Sequence, residues 1–131
     1  MSLSDDGYVL DASALLALLK AEPGKDVVAR RMDGAAISAV NWCEVLRRVG
    51  TLAQPVEHLP ARLRGLGLQF VAFGEDDAEE AARLTAAGRP LGLSLADGAC
   101  LALAGRMRRV ALTADRVWSE LDVGIRIELI R

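Results

Sequence analysis

Apolar positions along the chain alternate between short compact runs and longer stretches with helical spacing. Tyr8-Val9-Leu10 is a compact run that stops at Asp11, and Ala12 to Lys20 reads as helix up to the Pro23-Gly24 break. Val27 to Met32 continues as a short helix, Ala35 to Ile37 as a second strand, and Ser38 opens a helix that runs through Thr51 or Leu52. In that helix Trp42, Val45, Leu46 and Val49 recur at i, i+3, i+4 and i+7 and mark the face expected to be buried, with Glu44 pointing away from it. After Pro55, a weakly amphipathic helix covers about Val56 to Leu66. Leu68 to Phe73 reads as a strand between Gly67 and Gly74. Glu75 to Ala87 is a helix with an acidic first turn, closed by Gly88 and Pro90, and Ser94 to Gly105 is an almost wholly apolar helix. Val110 to Thr113 is the fourth strand, a short helix follows from Asp115, and Ile125 to Ile130 alternates as the fifth. Strands spaced by helices predict an α/β fold, one domain over residues 1–131, with a parallel sheet covered on both faces.

Composition agrees with a single compact domain. Apolar residues make up 52 % of the 131 residues against 26 % charged, which excludes a disordered or low-complexity chain. No run reaches the ~20 apolar residues of a membrane span, and the N-terminus lacks a basic segment followed by an apolar one. A soluble, cytoplasmic protein with no membrane partner is expected. Cys43 and Cys100 stand singly within apolar helical patterns and predict buried, reduced thiols. The basic residues are fourteen arginines with only Lys20 and Lys25, and the net charge is −2.

In a parallel sheet, ligands bind beyond the carboxyl ends of the strands, so carboxylates at strand-to-helix junctions carry the most information. Asp11 ends the first strand and Asp115 follows the fourth, while Glu44 and Asp97 lie early in the helices that begin at Ser38 and Ser94. Singly, each has a structural explanation. Asp11 and Asp115 are possible helix N-caps, Glu44 is spaced to pair with Arg48, and Ser94 with Asp97 imitates a capping box. Asp97 is the exception to a purely structural explanation, because it is the only charge between Arg89 and Arg106 in an apolar helix that is expected to be buried. If the four converge, two carboxylates ~4 Å apart repel by about 4 kcal/mol at an effective dielectric of 20, so the group calls for a cation. One histidine and two separated cysteines disfavour zinc. An all-oxygen set suits Mg²⁺ or Mn²⁺, the ions of phosphodiester hydrolysis through a metal-activated water.

The segments Val9-Leu10-Asp11-Ala12-Ser13-Ala14-Leu15-Leu16-Ala17, Ser38-Ala39-Val40-Asn41-Trp42-Cys43-Glu44-Val45, Leu93-Ser94-Leu95-Ala96-Asp97-Gly98-Ala99-Cys100-Leu101-Ala102 and Leu112-Thr113-Ala114-Asp115 together resemble a PIN domain. More narrowly, they resemble the VapC-type toxin ribonucleases of toxin–antitoxin operons. The resemblance spans the whole chain and implies a three-layer α/β/α sandwich around a central, mostly parallel sheet of about five strands. It also implies an endoribonuclease dependent on Mg²⁺ or Mn²⁺, with catalytic and metal-binding residues at Asp11, Glu44, Asp97 and Asp115. Glu44 would orient or deprotonate the attacking water or complete the metal shell. Ser13, Asn41 and Thr113 match polar positions that support the acidic ones. Substrates would be single-stranded or looped RNA such as tRNA or rRNA, the partner a VapB-type antitoxin, and the assembly a homodimer. The chain departs from the pattern at Trp42, Cys43 and Gly98.

Arg47, Arg48, Arg89 and Arg116 lie in or near the acidic segments and are candidate RNA phosphate contacts, set against the alternative of solvated helix-surface arginines. Leu15, Leu16, Leu19 and the Leu59 to Leu66 segment are either core or part of a groove for an antitoxin helix. A HAD-type phosphatase is disfavoured by Ser13 at the position of its second aspartate, and a receiver domain by the absence of lysine after Lys25. A catalytically silent PIN-like binding module would have lost acidic residues that this chain keeps. A PIN nuclease of RNA processing outside toxin–antitoxin systems stays open.

Overall fold

The computed structural model describes residues 7–50 and 56–131. Five short strands form one sheet: β1 (Tyr8–Leu10), β2 (Ala36–Ser38), β3 (Gln69–Val71), β4 (Val110–Thr113) and β5 (Ile127–Leu129). Their spatial order is β3-β2-β1-β4-β5, and every pairing is parallel. The chain therefore winds outward from β1 in one direction and returns to wind outward in the other. The carboxyl ends of β1 and β4 flank the point where the direction reverses.

Six α-helices cover the sheet: α1 (Ala12–Leu19), α2 (Lys25–Arg31), α3 (Ala39–Val49), α4 (Leu59–Gly65), α5 (Glu75–Ala87) and α6 (Leu95–Met107). Because side chains alternate across a strand, Leu10, Ile37 and Leu112 enter one core with residues of α1 to α4. Val9, Ala36 and Ala111 enter the other with residues of α5 and α6 and with Trp118. Two apolar cores on either side of one sheet make a three-layer α/β/α sandwich. Among the described residues no helix is long and apolar enough to cross a membrane.

Most predicted elements are present with shifted ends. The strands expected over Leu68 to Phe73 and Ile125 to Ile130 are three residues each, and the helix after Asp115 is a 3-10 turn, Arg116–Glu120. The third helix ends at Val49; its expected continuation to Thr51 or Leu52, and the break at Pro55, lie outside the described residues. The buried residues of α3 are Asn41, Val45 and Val49, whereas Trp42 and Leu46 are half-buried. The helix turns its i, i+4, i+8 row inward, so Trp42 stands edge-on to Phe70 at the sheet margin, with ring centroids 4.8 Å apart. Cys43 is exposed, contrary to expectation, because it lies two residues from Asn41 and Val45 and so on the other side of α3; Cys100 is buried as expected. Leu15, Leu16 and Leu63 are core, Leu19 packs against it, and Leu66 is exposed.

Gly98 marks the closest approach of two helices. A Cβ there would stand 2.6 Å from the Ala81 carbonyl oxygen of α5 and would also collide with the Thr85 hydroxyl, which is itself bonded to that carbonyl. The departure from the family pattern at this position is therefore a packing requirement. Gly65, at the end of α4, has nothing within 4 Å of its missing Cβ. Gly98→Ala is expected to destabilise the chain by about 1–3 kcal/mol through forced displacement of α5, and Gly65→Ala to be neutral or stabilising by up to about 1 kcal/mol. Urea unfolding of the two variants side by side measures both; equal effects would contradict this account of the α5–α6 contact.

Candidate functional site: carboxylates at the carboxyl end of the sheet

Asp11 follows β1 at the point where the winding reverses, and it caps α1: its Oδ1 accepts from the Ala14 N–H at 2.9 Å. The parallel register sets Leu10 beside Leu112, and the Asp11 N–H donates to the Leu112 carbonyl. Thr113, the next residue of β4, therefore lies alongside the Asp11 side chain. Its Oγ1 donates to Asp11 Oδ2 at 2.6 Å, while Ser13 Oγ donates to Oδ1 at 2.7 Å. Each hydroxyl in turn accepts a backbone N–H, Ser13 from Ala114 at 2.9 Å and Thr113 from Asp115 at 3.0 Å. An N–H can only donate, so each hydroxyl spends a lone pair on the backbone and keeps its proton for the Asp11 carboxylate.

Asp11 is only 5 % exposed. Loss of hydration outweighs the three hydrogen bonds and, with a smaller contribution from the negative charge of Asp97, raises its pKa from 3.8 to about 6. Asp97 itself is half-buried. Its Oδ2 accepts the Ser94 N–H at 2.8 Å, and the Asp97 N–H donates to Ser94 Oγ at 3.1 Å, a full capping box. Burial and the charge of Asp115 push its pKa up. Asp115 is exposed and caps the 3-10 turn, its Oδ1 accepting from the Val117 N–H. The expectation that Asp97 is the carboxylate hardest to explain by capping is corrected: α6 is buried from Gly98 inward, so Asp97 lies at its wet end, and Asp11 is the carboxylate most deprived of water.

Asp11, Asp97 and Asp115 thus form one electrostatically linked group on three element N-termini. Glu44 sits further along α3, its carboxylate 3.9 Å from the Arg48 guanidinium, as the i, i+4 spacing allows. Asn41, on the first turn of α3, is fully buried; its Nδ2 donates to the Ala96 carbonyl at 3.0 Å, beside Asp97. A carbonyl accepts only, which fixes the amide orientation and leaves Oδ1 buried with no partner. Beneath the group lies Cys100, whose thiol is kept protonated by burial and by Asp11 and Asp97. Sequence reading missed this proximity, although Cys100 stands one helical turn after Asp97.

The donor chemistry fits a hard divalent cation. Two linked carboxylates have raised pKa values, an amide oxygen is buried without a donor, and the one nearby sulfur, Cys100, is a buried protonated thiol, which leaves oxygen donors. Among the described residues no three histidine, cysteine or acidic side chains are arranged to hold an ion: Asp11, Asp97 and Asp115 are turned onto backbone N–H groups and Glu44 faces Arg48. The arginine candidates separate. Arg89 and Arg116 are exposed on two 3-10 turns that pack together beside Asp115. Arg47 and Arg48 lie in the last turn of α3, where they complement the helix dipole.

The PIN domain family model matches residues 8–124. Among solved structures, the fold is similar to a chain of a toxin–antitoxin complex from Klebsiella pneumoniae at 20 % identity and TM-score 0.72, covering 95 % of this chain and 98 % of that one. It is similar to a chain of DNA-bound VapBC from Salmonella typhimurium at 19 % identity and TM-score 0.71, covering 96 % and 99 %. It is also similar to a chain of FitAcB from Neisseria gonorrhoeae at 20 % identity and TM-score 0.72, covering 94 % and 97 %. No curated protein sequence matches the chain. With one family model spanning all five strand starts but the last, and with its acidic residues at the ends of β1 and β4, the chain belongs to the PIN domain family.

Proposed function

We propose that this chain is the toxin of a toxin–antitoxin pair, an endoribonuclease that hydrolyses RNA phosphodiester bonds with Mg²⁺ or Mn²⁺. The observation that carries the reading is Asp11, a buried carboxylate held as an acceptor by Ser13 and Thr113 and linked electrostatically to Asp97 and Asp115. A fold with no use for it would be more stable with a neutral residue at this position. Support for an antitoxin partner comes from structural neighbours that include a toxin–antitoxin complex and VapBC assemblies. The substrate class, a VapB-type antitoxin, the cytoplasmic site and a homodimeric state complete the proposal.

Asp11, Glu44, Asp97 and Asp115 would hold the ion. When bound, it lowers the pKa of a coordinated water and neutralises charge developing on the phosphate. The chain's own parts are distinct. Ser13 and Thr113 fix the orientation of Asp11, and Asn41 anchors the start of α3 to the turn that bears Asp97. Glu44, partly exposed, orients or deprotonates the attacking water once drawn from Arg48. Arg116 follows Asp115 directly and Arg89 lies on the 3-10 turn packed against the one that bears Arg116, so both would contact RNA phosphates near the carboxylates.

Asn at position 97 keeps a side-chain oxygen for the Ser94 N–H, so Asp97→Asn is expected to leave the fold and melting temperature nearly unchanged. RNA cleavage should fall by about a hundredfold or more, the scale of a group acting in the transition state. Wild-type cleavage by this variant would sink the site. EDTA should stop cleavage and Mn²⁺ or Mg²⁺ restore it; activity indifferent to chelation would point to metal-free acid–base chemistry.

A third expectation concerns pH. Asp11 titrates near 6 in the folded chain and near 3.8 when solvated, so the folded state binds more protons between those values. Stability in EDTA therefore rises as pH falls through that window, and the ionised carboxylate costs on the order of 3 kcal/mol above it. Relative to Asp11→Asn, the wild-type chain should gain roughly 1 kcal/mol between pH 7.5 and pH 5. Denaturant midpoints of the two proteins measure the difference, and a loss over the same range would refute the assignment of Asp11 as a desolvated carboxylate.

A further inference from the structure

Large apolar side chains left in water are ordinary where they are scattered singly. In this chain they are not scattered. Among the described residues the exposed large hydrophobics are Leu66, Leu95 and Val117, and the last two each stand two residues from a carboxylate of the linked group. Leu95 precedes Asp97 and is 64 % exposed; Val117 follows Asp115 and is 37 % exposed. Leu95 is also the first residue of α6, a place where polar and acidic side chains gain from unpaired N–H groups and the helix dipole and a leucine gains nothing.

Both residues ride on turns that the carboxylates themselves hold. The capping box between Ser94 and Asp97 closes around Leu95, which lies about 3 Å from Asp97 along the helix axis. The Val117 N–H donates to Asp115 Oδ1 at 3.1 Å, and the next residue, Trp118, is fully buried and anchors the 3-10 turn. Backbones fixed in this way lose little freedom when a ligand arrives. The two turns also belong to one surface. Asp97 senses the charge of Asp115, and the 3-10 turn Arg89–Leu91, which leads into Ser94, packs against the 3-10 turn Arg116–Glu120. Exposed Arg89 and Arg116 stand on those same turns. Within a few residues the surface thus offers carboxylates that call for a cation, two guanidinium groups and two apolar side chains.

Resting on the RNA-cleaving activity proposed above, we infer that Leu95 and Val117 are base-contacting residues: the flat faces of unpaired nucleobases beside the scissile phosphate lie against them. A nucleotide has the matching parts. Its phosphate is anionic and suits a cation and guanidinium groups, while its base carries a weakly hydrated face that every base shares. Contact with that face needs the base out of a duplex stack, so the pair of residues restricts the substrate to unpaired strands by its own chemistry. Affinity, not the chemical step, is what such contacts supply, since the base face is the same before and during cleavage of the phosphodiester bond.

The test is single-turnover cleavage by the full chain in Mn²⁺, whose dependence on protein concentration separates affinity from rate. The substrates are an unpaired RNA oligonucleotide with a mapped cut and two versions lacking the base on one or the other side of that cut. Leu95→Asn and Val117→Thr keep the shape of each side chain and remove its apolar character, and Leu95→Met keeps that character as a control. Both positions are exposed, so melting temperatures should match the wild type. Removing a base is expected to weaken wild-type binding about fivefold or more with the maximal rate changed less than twofold. Each polar variant should weaken binding of the intact RNA to the same degree and no longer respond to loss of one of the two bases, because the lesion and the substitution delete the same contact. Leu95→Met should behave as the wild type. Losses that multiply instead, or a fall in maximal rate without a fall in affinity, overturn the inference. Unchanged affinity in both polar variants also overturns it, returning the two side chains to a protein partner while the nuclease reading stands. Failure of the wild-type chain to cut any RNA overturns the nuclease reading and this inference together.

Discussion

The structure turns on a buried carboxylate that the chain keeps supplied with protons from every side except its own. Backbone N–H groups of Ala114 and Asp115 donate to Ser13 and Thr113, and those hydroxyls donate to Asp11. The order of donors is a consequence of topology. Only parallel pairing of β1 with β4, Leu10 opposite Leu112, sets the first residue after one strand beside the last residue of the other. A one-residue slip would move Thr113 out of reach and turn the apolar residues of β4 to the wrong core. The register that closes the two cores is the register that orients the carboxylate.

Capping and chemistry are not competing explanations for the acidic residues. Asp11 caps α1, Asp97 closes a capping box on α6, and Asp115 caps the turn that follows β4. Each carboxylate is thereby fixed by a backbone N–H and faces the positive end of an element dipole, worth typically 0.3–1 kcal/mol apiece. That attraction lets three like charges sit near one another in a folded chain. It does not restore the lost hydration, since burial, with a smaller contribution from the neighbouring carboxylate, still raises the pKa of Asp11 and of Asp97.

The element order, and the capping positions of Asp11, Asp97 and Asp115, were legible because apolar runs, turn residues and caps are local signals. Glu75 to Ala87 and Val110 to Thr113 were read to the residue, since Gly74, Gly88 and the carboxylates of the first turn bound the one and Arg109 and Asp115 the other. What escaped depends on packing between distant segments. The inward face of α3 is set by Asn41 reaching Ala96, fifty-five residues away, and not by its most apolar stripe. The burial of Asp11 comes from β4, while the tightness at Gly98 comes from α5. The relative burial of two carboxylates, and the exposure of Cys43, follow from such contacts and leave no periodic trace.

Parallel architecture also sorts charge. A parallel sheet has a carboxyl and an amino edge, and a helix that starts at a strand's carboxyl end turns its positive dipole end to the first of them, as α1 and α3 do. The acidic residues at Asp11, Asp97 and Asp115 occupy the first edge. Arginines close the last turns of α2, α3, α4 and α6, and Arg106 in the last of these pairs with Asp77 in the first turn of α5. The net charge of −2 says nothing about whether a polyanion can be held, because a strand of phosphates meets the local charge of the surface it crosses. At the carboxylate edge it needs a cation to approach.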